Sequence, residues 1–345
     1  MISQNIIEPD TISLITTYRC TAACKDCCFQ CSPHQKERLT LEQMQYFISK
    51  ATTIYSSIRL VAITGGECFT LGEDLYSLIS FIRKKGLLSR IVTNGSWATD
   101  LTKSRKIIHR LQSAGLTEIN FSTGDSHQQY VPVQNVINGV VAAQECKIVT
   151  VVNVETNENF TFTAEKLRKN PQLTPYINTP YLQIIAGEWI QFSDKSTQNA
   201  DSSKLNCSTR CKQLFKVMTL NPQNDLICCC GLSTRKHPFL SLGTILNRDI
   251  KKLWESQYDD FVKLWLYAEG PKKILEFAQK IDPSIKIDTS KMHMCALCLQ
   301  ILSNPHILQI IRENYVKIAP RVMLEYTIQS HTKNKIKQNY EKRNL

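Results

Sequence analysis

Cys20, Cys24 and Cys27 stand as C-x3-C-x2-C in the stretch Cys20-Thr21-Ala22-Ala23-Cys24-Lys25-Asp26-Cys27. A short loop with that spacing folds three thiolates around one iron–sulfur cluster, and a [4Fe–4S] site needs four to close. No evident local fourth completes the set, so one iron is left open to bind a substrate or cofactor. The loop therefore reads as a chemistry site rather than a staple. The bland alternative is a zinc knuckle. Zinc needs a fourth nearby ligand, and Cys28, Cys31 or His34 could supply it.

The other cysteines fall into a second region. Of the 14 in the chain, seven lie between Cys207 and Cys298 in tight groups: Cys207 and Cys211, then Cys228, Cys229 and Cys230, then Cys295 and Cys298. Cys68 and Cys146 stand apart and read as packing residues. A secreted disulfide scaffold is usually short and follows a signal peptide. This chain has 345 residues and no basic-then-apolar leader. Nor does it hold an apolar run long enough to span a bilayer. Clustered thiols in a chain expected to be cytoplasmic point to metal.

The elements that must position these residues alternate along the first half. Apolar, β-branched runs at 11–16, 59–64, 89–93, 118–122, 147–154 and 181–186 read as strands. Helical patterns lie between them at 41–54, 74–85, 101–114, 133–145 and 164–169. Thr40 and Glu42 open the first helix as a cap and a first-turn acid. Gly86 and Gly115 follow two helices and can stop them. The result is an α/β chain with a parallel β/α wheel. In such barrels chemistry sits at the C-terminal ends of the strands. The cysteine loop follows the first strand, Thr64-Gly65-Gly66-Glu67 the second, Thr93-Asn94-Gly95 the third and Ser122-Thr123-Gly124-Asp125 the fourth. All four fall on one rim.

Composition changes after residue 189. Residues 191–204 are polar and read as a linker. An apolar segment at 214–220, the turn Asn221-Pro222-Gln223-Asn224-Asp225 and Leu226-Ile227 predict a hairpin with cysteines at both ends. Helices are expected at 251–269 and 272–280. The formal net charge is +12. The tail from His331 carries Lys333, Lys335, Lys337, Lys342 and Arg343 against Glu341. It reads as a basic helix or a frayed end. No helix-turn-helix, zinc-finger or RNA-binding signature appears, so nucleic acid is not an expected partner.

The cysteine loop after the first strand and Gly65-Gly66-Glu67 after the second resemble the radical S-adenosylmethionine (SAM) enzymes. The resemblance covers roughly 10–190 and implies a partial (β/α)6, TIM-like barrel. It implies that Cys20, Cys24 and Cys27 hold a [4Fe–4S] cluster whose open iron binds SAM. It implies cleavage of SAM to a 5′-deoxyadenosyl radical that takes hydrogen from the substrate. Gly65 and Gly66 would let backbone approach the cofactor. The Glu67 carboxylate would pair with the ammonium of the methionine moiety. Ser122 and Asn153 are candidates for the ribose, and Asp125 and His127 for ribose, substrate or a structural pair. One departure is Asp26, where the family often has an aromatic residue; Phe29 stands nearby.

Residues 205–303 resemble the short auxiliary-cluster (Twitch/SPASM-like) domains of that superfamily, leaving 304–345 as a helical basic extension. Cys211, Cys229, Cys295 and Cys298 fit the order of ligands for one auxiliary [4Fe–4S] cluster. Cys207 could replace Cys211, and Cys228 or Cys230 could replace Cys229. Structural zinc is the rival. A leftover thiol near a radical can return hydrogen, and Cys230 is the candidate catalytic residue.

The resemblance extends to maturases of ribosomally made peptides. It implies a precursor-peptide substrate and either epimerisation or cross-link formation. An electron donor such as flavodoxin or ferredoxin is implied. With the barrel starting near residue 10, leader recognition is expected from a separate protein or from the C-terminal region. A small-molecule substrate is the alternative within the family. A zinc-dependent binding protein is the alternative outside it.

Overall fold

The structure is a computed structural model and describes residues 7–156, 160–188, 210–232, 234–236, 238–287 and 293–330. Cys207, the polar stretch 191–204 and the basic tail lie outside the described residues.

Six parallel strands form in chain order: β1 (Thr11–Ile15), β2 (Leu60–Thr64), β3 (Leu88–Thr93), β4 (Glu118–Thr123), β5 (Val149–Thr156) and β6 (Leu182–Glu188). Each coincides with an apolar β-branched run. Between them run α1 (Leu41–Ile54), α2 (Glu73–Lys84), α3 (Leu101–Ala114), the single turn α4 (Asp125–Gln128), α5 (Val133–Glu145) and the short α6 (Ala164–Arg168). Thr40 caps α1 in a reciprocal capping box with Gln43. Gly86 and Gly115 take positive φ just past α2 and α3.

The strands alternate their faces. In β2 Val61 and Ile63 are buried, while Leu60, Ala62 and Thr64 turn to the concave side. In β4 Ile119 and Phe121 are buried against the helices and Asn120 and Ser122 turn inward. The buried set forms one core with Phe47, Leu78 and Val140 from the helices. Each fully buried Leu or Phe stabilises by about 1.5–3 kcal/mol.

The second region does not form a detached appendage. β7 (Val217–Leu220) pairs in parallel with β1, Thr11 opposite Val217. β8 (Asp225–Ile227) and β9 (Ser241–Thr244) follow antiparallel. The sheet thus runs β6-β5-β4-β3-β2-β1-β7-β8-β9 without a break. The expected 251–269 helix is two: α7 (Ile250–Glu255) and α8 (Phe261–Ala268). Asp260 separates them, accepting from the backbone of Val262 and Lys263 as the cap of α8. Three further helices, α9 (Pro271–Ile281), α10 (Met294–Leu302) and α11 (Pro305–Asn314), close a second core around Phe215, Trp265 and Tyr326. Among the described residues no single helix is long and apolar enough to cross a membrane.

Candidate functional site

The loop after β1 is held by its own backbone. Cys20 donates to Ser32 (3.1 Å), Ser32 to Tyr18 (3.3 Å), and Cys27 to Cys24 (3.2 Å). The β2 loop docks onto it: Gly66 N–H donates to Thr17 O (2.7 Å) and Glu67 N–H to Arg19 O (2.9 Å). A Cβ on Gly66 would stand 2.0 Å from Arg19 O, so only glycine permits this approach.

Glu67 requires a correction. Its carboxylate is buried and does not line the cavity. It accepts from Thr93 Oγ1 and Asn94 N (both 2.8 Å) and Phe69 N (3.2 Å). Asn94 in turn reaches Cys20 Sγ (3.6 Å) and Thr21 Oγ1 (3.0 Å) through Nδ2. Thus the carboxylate is a positioning group that ties the ends of β1, β2 and β3 together. Sequence alone concealed this, because its partners come 26 and 27 residues later.

Cys20, Cys24 and Cys27 open into a cavity of about 540 Å³ that Gly65, Gly66 and Phe29 also line. That volume lies in the usual range for a small-molecule site. Ser122 and Asn153 are register partners on β4 and β5 and both face it. Asn153 Oδ1 is buried without a hydrogen-bond partner among the described residues. A buried acceptor of that kind marks a place for a missing donor. Gly187 makes room for it, since a Cβ there would lie 2.0 Å from Asn153 Oδ1.

Asp125 and His127 are not a pair. Asp125 accepts from Thr161 N, Thr161 Oγ1 and Phe162 N and does not line the cavity. His127 lines it, with Nδ1 3.1 Å from Glu155 Oε2. The buried Glu155 also accepts from the backbone of Ser126 and His127. Glu155 is a site residue the sequence did not reveal, being 28 residues from its histidine.

The cysteine triplet after β8 splits. Cys230 turns to the same cavity as Cys20, Cys24 and Cys27, with Sγ 3.0 Å from Ser13 Oγ on β1. Burial pushes its thiol up. Cys229 turns the other way. It lines a small pocket with Cys211, Cys295 and Cys298, walled by Leu214, Leu240 and Leu266. Cys295 and Cys298 sit on one face of the first turn of α10, which His293 caps. Cys228 is buried and lines neither space.

Cys28 lines the large cavity, and Cys31 is buried with its N–H directed to Cys27 Sγ (3.5 Å). The Cys31 thiol, with that N–H as a smaller contributor, holds Cys27 down to about 6. Cys68 is buried beside Glu67. Cys146 is only half-buried, 3.6 Å from His109 Nδ1, rather than in the core.

Both cysteine sets suit the groups the sequence suggests. Three thiols open onto a space with an orphaned acceptor, and four thiols surround an apolar pocket. An all-thiol set suits iron–sulfur or zinc. Zinc needs its ligands around one point. Among the described residues no three His, Cys, Asp or Glu side chains converge so tightly.

No protein-family model matches the chain. In sequence, 128 residues are 25% identical to the putative peptide biosynthesis protein YydG of Bacillus subtilis (strain 168). The match takes in 37% of this chain and spans 40% of the length of that relative. In structure, the chain matches native anSMEcpe with bound AdoMet at a TM-score of 0.57 and 14% identity, over 92% of this chain and 99% of the other. The chain has the radical SAM fold. The form of anSMEcpe with AdoMet and the Cp18Cys peptide matches at 0.56 and 14%, over 92% and 99%. The shared fold thus takes in nearly the whole described chain, second region included.

Proposed function

We propose that this chain is a radical SAM enzyme that epimerises a residue of a ribosomally made precursor peptide. One observation carries the choice of reaction: Cys230, a half-buried thiol outside both cluster-suited sets and held by Ser13, faces the cavity that Cys20, Cys24 and Cys27 open into. The relative named for peptide biosynthesis supports a peptide substrate.

Cys20, Cys24 and Cys27 would hold a [4Fe–4S] cluster, and Cys211, Cys229, Cys295 and Cys298 a second. When bound, the first cluster and SAM supply a radical that abstracts hydrogen. Gly65 and Gly66 offer close backbone to the methionine moiety. The Ser122 hydroxyl and Asn153 Oδ1 are placed side by side to bind the two ribose hydroxyls. The Glu155–His127 pair fixes the rim where substrate enters.

Cys230, which packs in the same small cluster as Cys20, Cys27 and Cys28, completes the reaction. Its S–H bond breaks homolytically and a C–H bond forms on the peptide carbon, inverting it. The thiyl left on Cys230 takes up one electron and one proton to restore the thiol. A reduced flavodoxin or ferredoxin is the fitting electron source. Ser13, 3.0 Å from the sulfur, orients the thiol.

The test is reaction in D2O with peptides encoded by short reading frames beside this gene. Thiol protons exchange with solvent, so each inverted centre should carry one deuterium. Cys230→Ala should still form 5′-deoxyadenosine but yield no D-residue. Inversion without deuterium, or undiminished inversion by Cys230→Ala, would sink the proposal.

A further inference from the structure

The cavity is not confined to the cysteine rim. Thr11, Leu60 and Val217, register partners at the N-terminal ends of β1, β2 and β7, line it as well. At roughly 3.3 Å per residue, β1 rises about 13 Å from Thr11 to Ile15. The cavity therefore runs the height of the sheet.

Its far end is cationic. Arg90, Lys212 and Lys216 line it with a single carboxylate, Asp10. Two of the three cations are already matched. Arg90 donates to Glu118 through Nε and Nη2, both at 2.8 Å. Lys216 Nζ lies 3.5 Å from Asp10 Oδ2. Lys212 has no ion-pair partner among the described residues. The amide of Gln213 lines the cavity beside it.

We infer that this end of the cavity is a carboxylate subsite, in which Lys212 and Gln213 bind an acidic group of the peptide while another residue reacts at the cysteine rim. The inference rests on the peptide-modifying reading above. The acidic group is an Asp or Glu side chain or a C-terminal carboxylate. An extended chain covers about 3.3 Å per residue, so the acid lies about four residues from the residue that reacts. A lone exposed ion pair contributes little. Lys212 is exposed, but a peptide lying in the cavity would cover it, and the half-buried Arg90 and Lys216 stand alongside. The +12 net charge would attract acidic peptides in any register. A subsite fixes one register.

The test uses iron-loaded protein immobilised and offered a random octapeptide pool, one half amidated and one half with free C-termini. Bound peptides are sequenced by mass spectrometry. Wild type should enrich Asp and Glu over Asn and Gln about five-fold at one position. Lys212→Gln, matched for iron content, should remove that preference, and Lys212→Arg should keep it. Lys212→Glu should turn the preference to Lys and Arg. Lys84→Glu, at the exposed end of α2, should change nothing. Enrichment in the free-acid half alone would assign the C-terminal carboxylate as the ligand. Acid enrichment spread over all positions, or unchanged in Lys212→Gln, would overturn the subsite. SAM cleavage is assayed on the same samples. Positional selection without cleavage would remove the enzymatic reading and leave the subsite. Cleavage with register-free selection would do the reverse.

Discussion

A buried carboxylate, Glu67, joins the ends of β2 and β3 through Phe69, Thr93 and Asn94, and Asn94 reaches on to Cys20 and Thr21 after β1. Burial favours its neutral form and pushes its carboxyl up, against the pull of those donors. The folded chain therefore keeps this proton to higher pH than the unfolded chain. The stability so gained is complete below the ordinary value of 4.5 and is lost as pH rises through the folded value. Glu67→Gln has no proton to lose. Its urea midpoint relative to wild type should rise as the pH is taken up from 4.5; a constant difference would mean the carboxyl is already ionised throughout. Glu67→Ala should cost about 1–3 kcal/mol for each buried donor left unpaired. The residue types and spacing of the first cysteine set were legible in the sequence, and so was the grouping of Cys211, Cys229, Cys295 and Cys298, which line one pocket. The direction of Glu67, the partner of His127 and the place of Lys212 in the cavity were not. Each depends on residues brought close only by the sheet.

At the scale of elements, the β2 loop lies against the cysteine loop because Gly66 has no side chain. Gly66→Ala places a methyl group 2.0 Å from a carbonyl oxygen, which must move. We expect a loss of about 1–3 kcal/mol. The first set of thiols should also fail to retain iron while the second retains its own. Iron per chain and a urea titration check this; full iron in the variant would show that the two loops can part without harm. The barrel elements were legible because apolar alternation and length separate strand from helix cleanly between 11 and 186. The α7–α8 break was not, since the apolar period continues through it while the tighter 3-10 turn Ser256–Asp259 and the Asp260 cap interrupt the helix. The strand β9 reads Ser-Leu-Gly-Thr and carries too little pattern to be seen.

The described residues form one sheet with two large cores and a small cluster at the first cysteine loop, and the second pocket sits in the second core. Cys295→Ser with Cys298→Ser should reduce iron from about eight to about four per chain. Unfolding of the C-terminal helices should then separate from that of the barrel, read as a second transition by circular dichroism. A single transition with unchanged midpoint would show that those thiols do not brace the second core. Fold class was readable from chain order, but the neighbour of β1 was not, because nothing in a strand's sequence names its partner. That pairing has a consequence for how the protein is made. β1 and its cysteine loop emerge from the ribosome early, whereas Val217, which closes the open edge of β1, lies 206 positions after Thr11. At about 5–20 residues per second the delay is roughly 10–40 s. During that time β1 has a bare edge able to pair with another nascent chain. Iron delivered to the first three thiols in that interval would meet a loop whose sheet is still incomplete, so productive loading belongs after synthesis has passed β7.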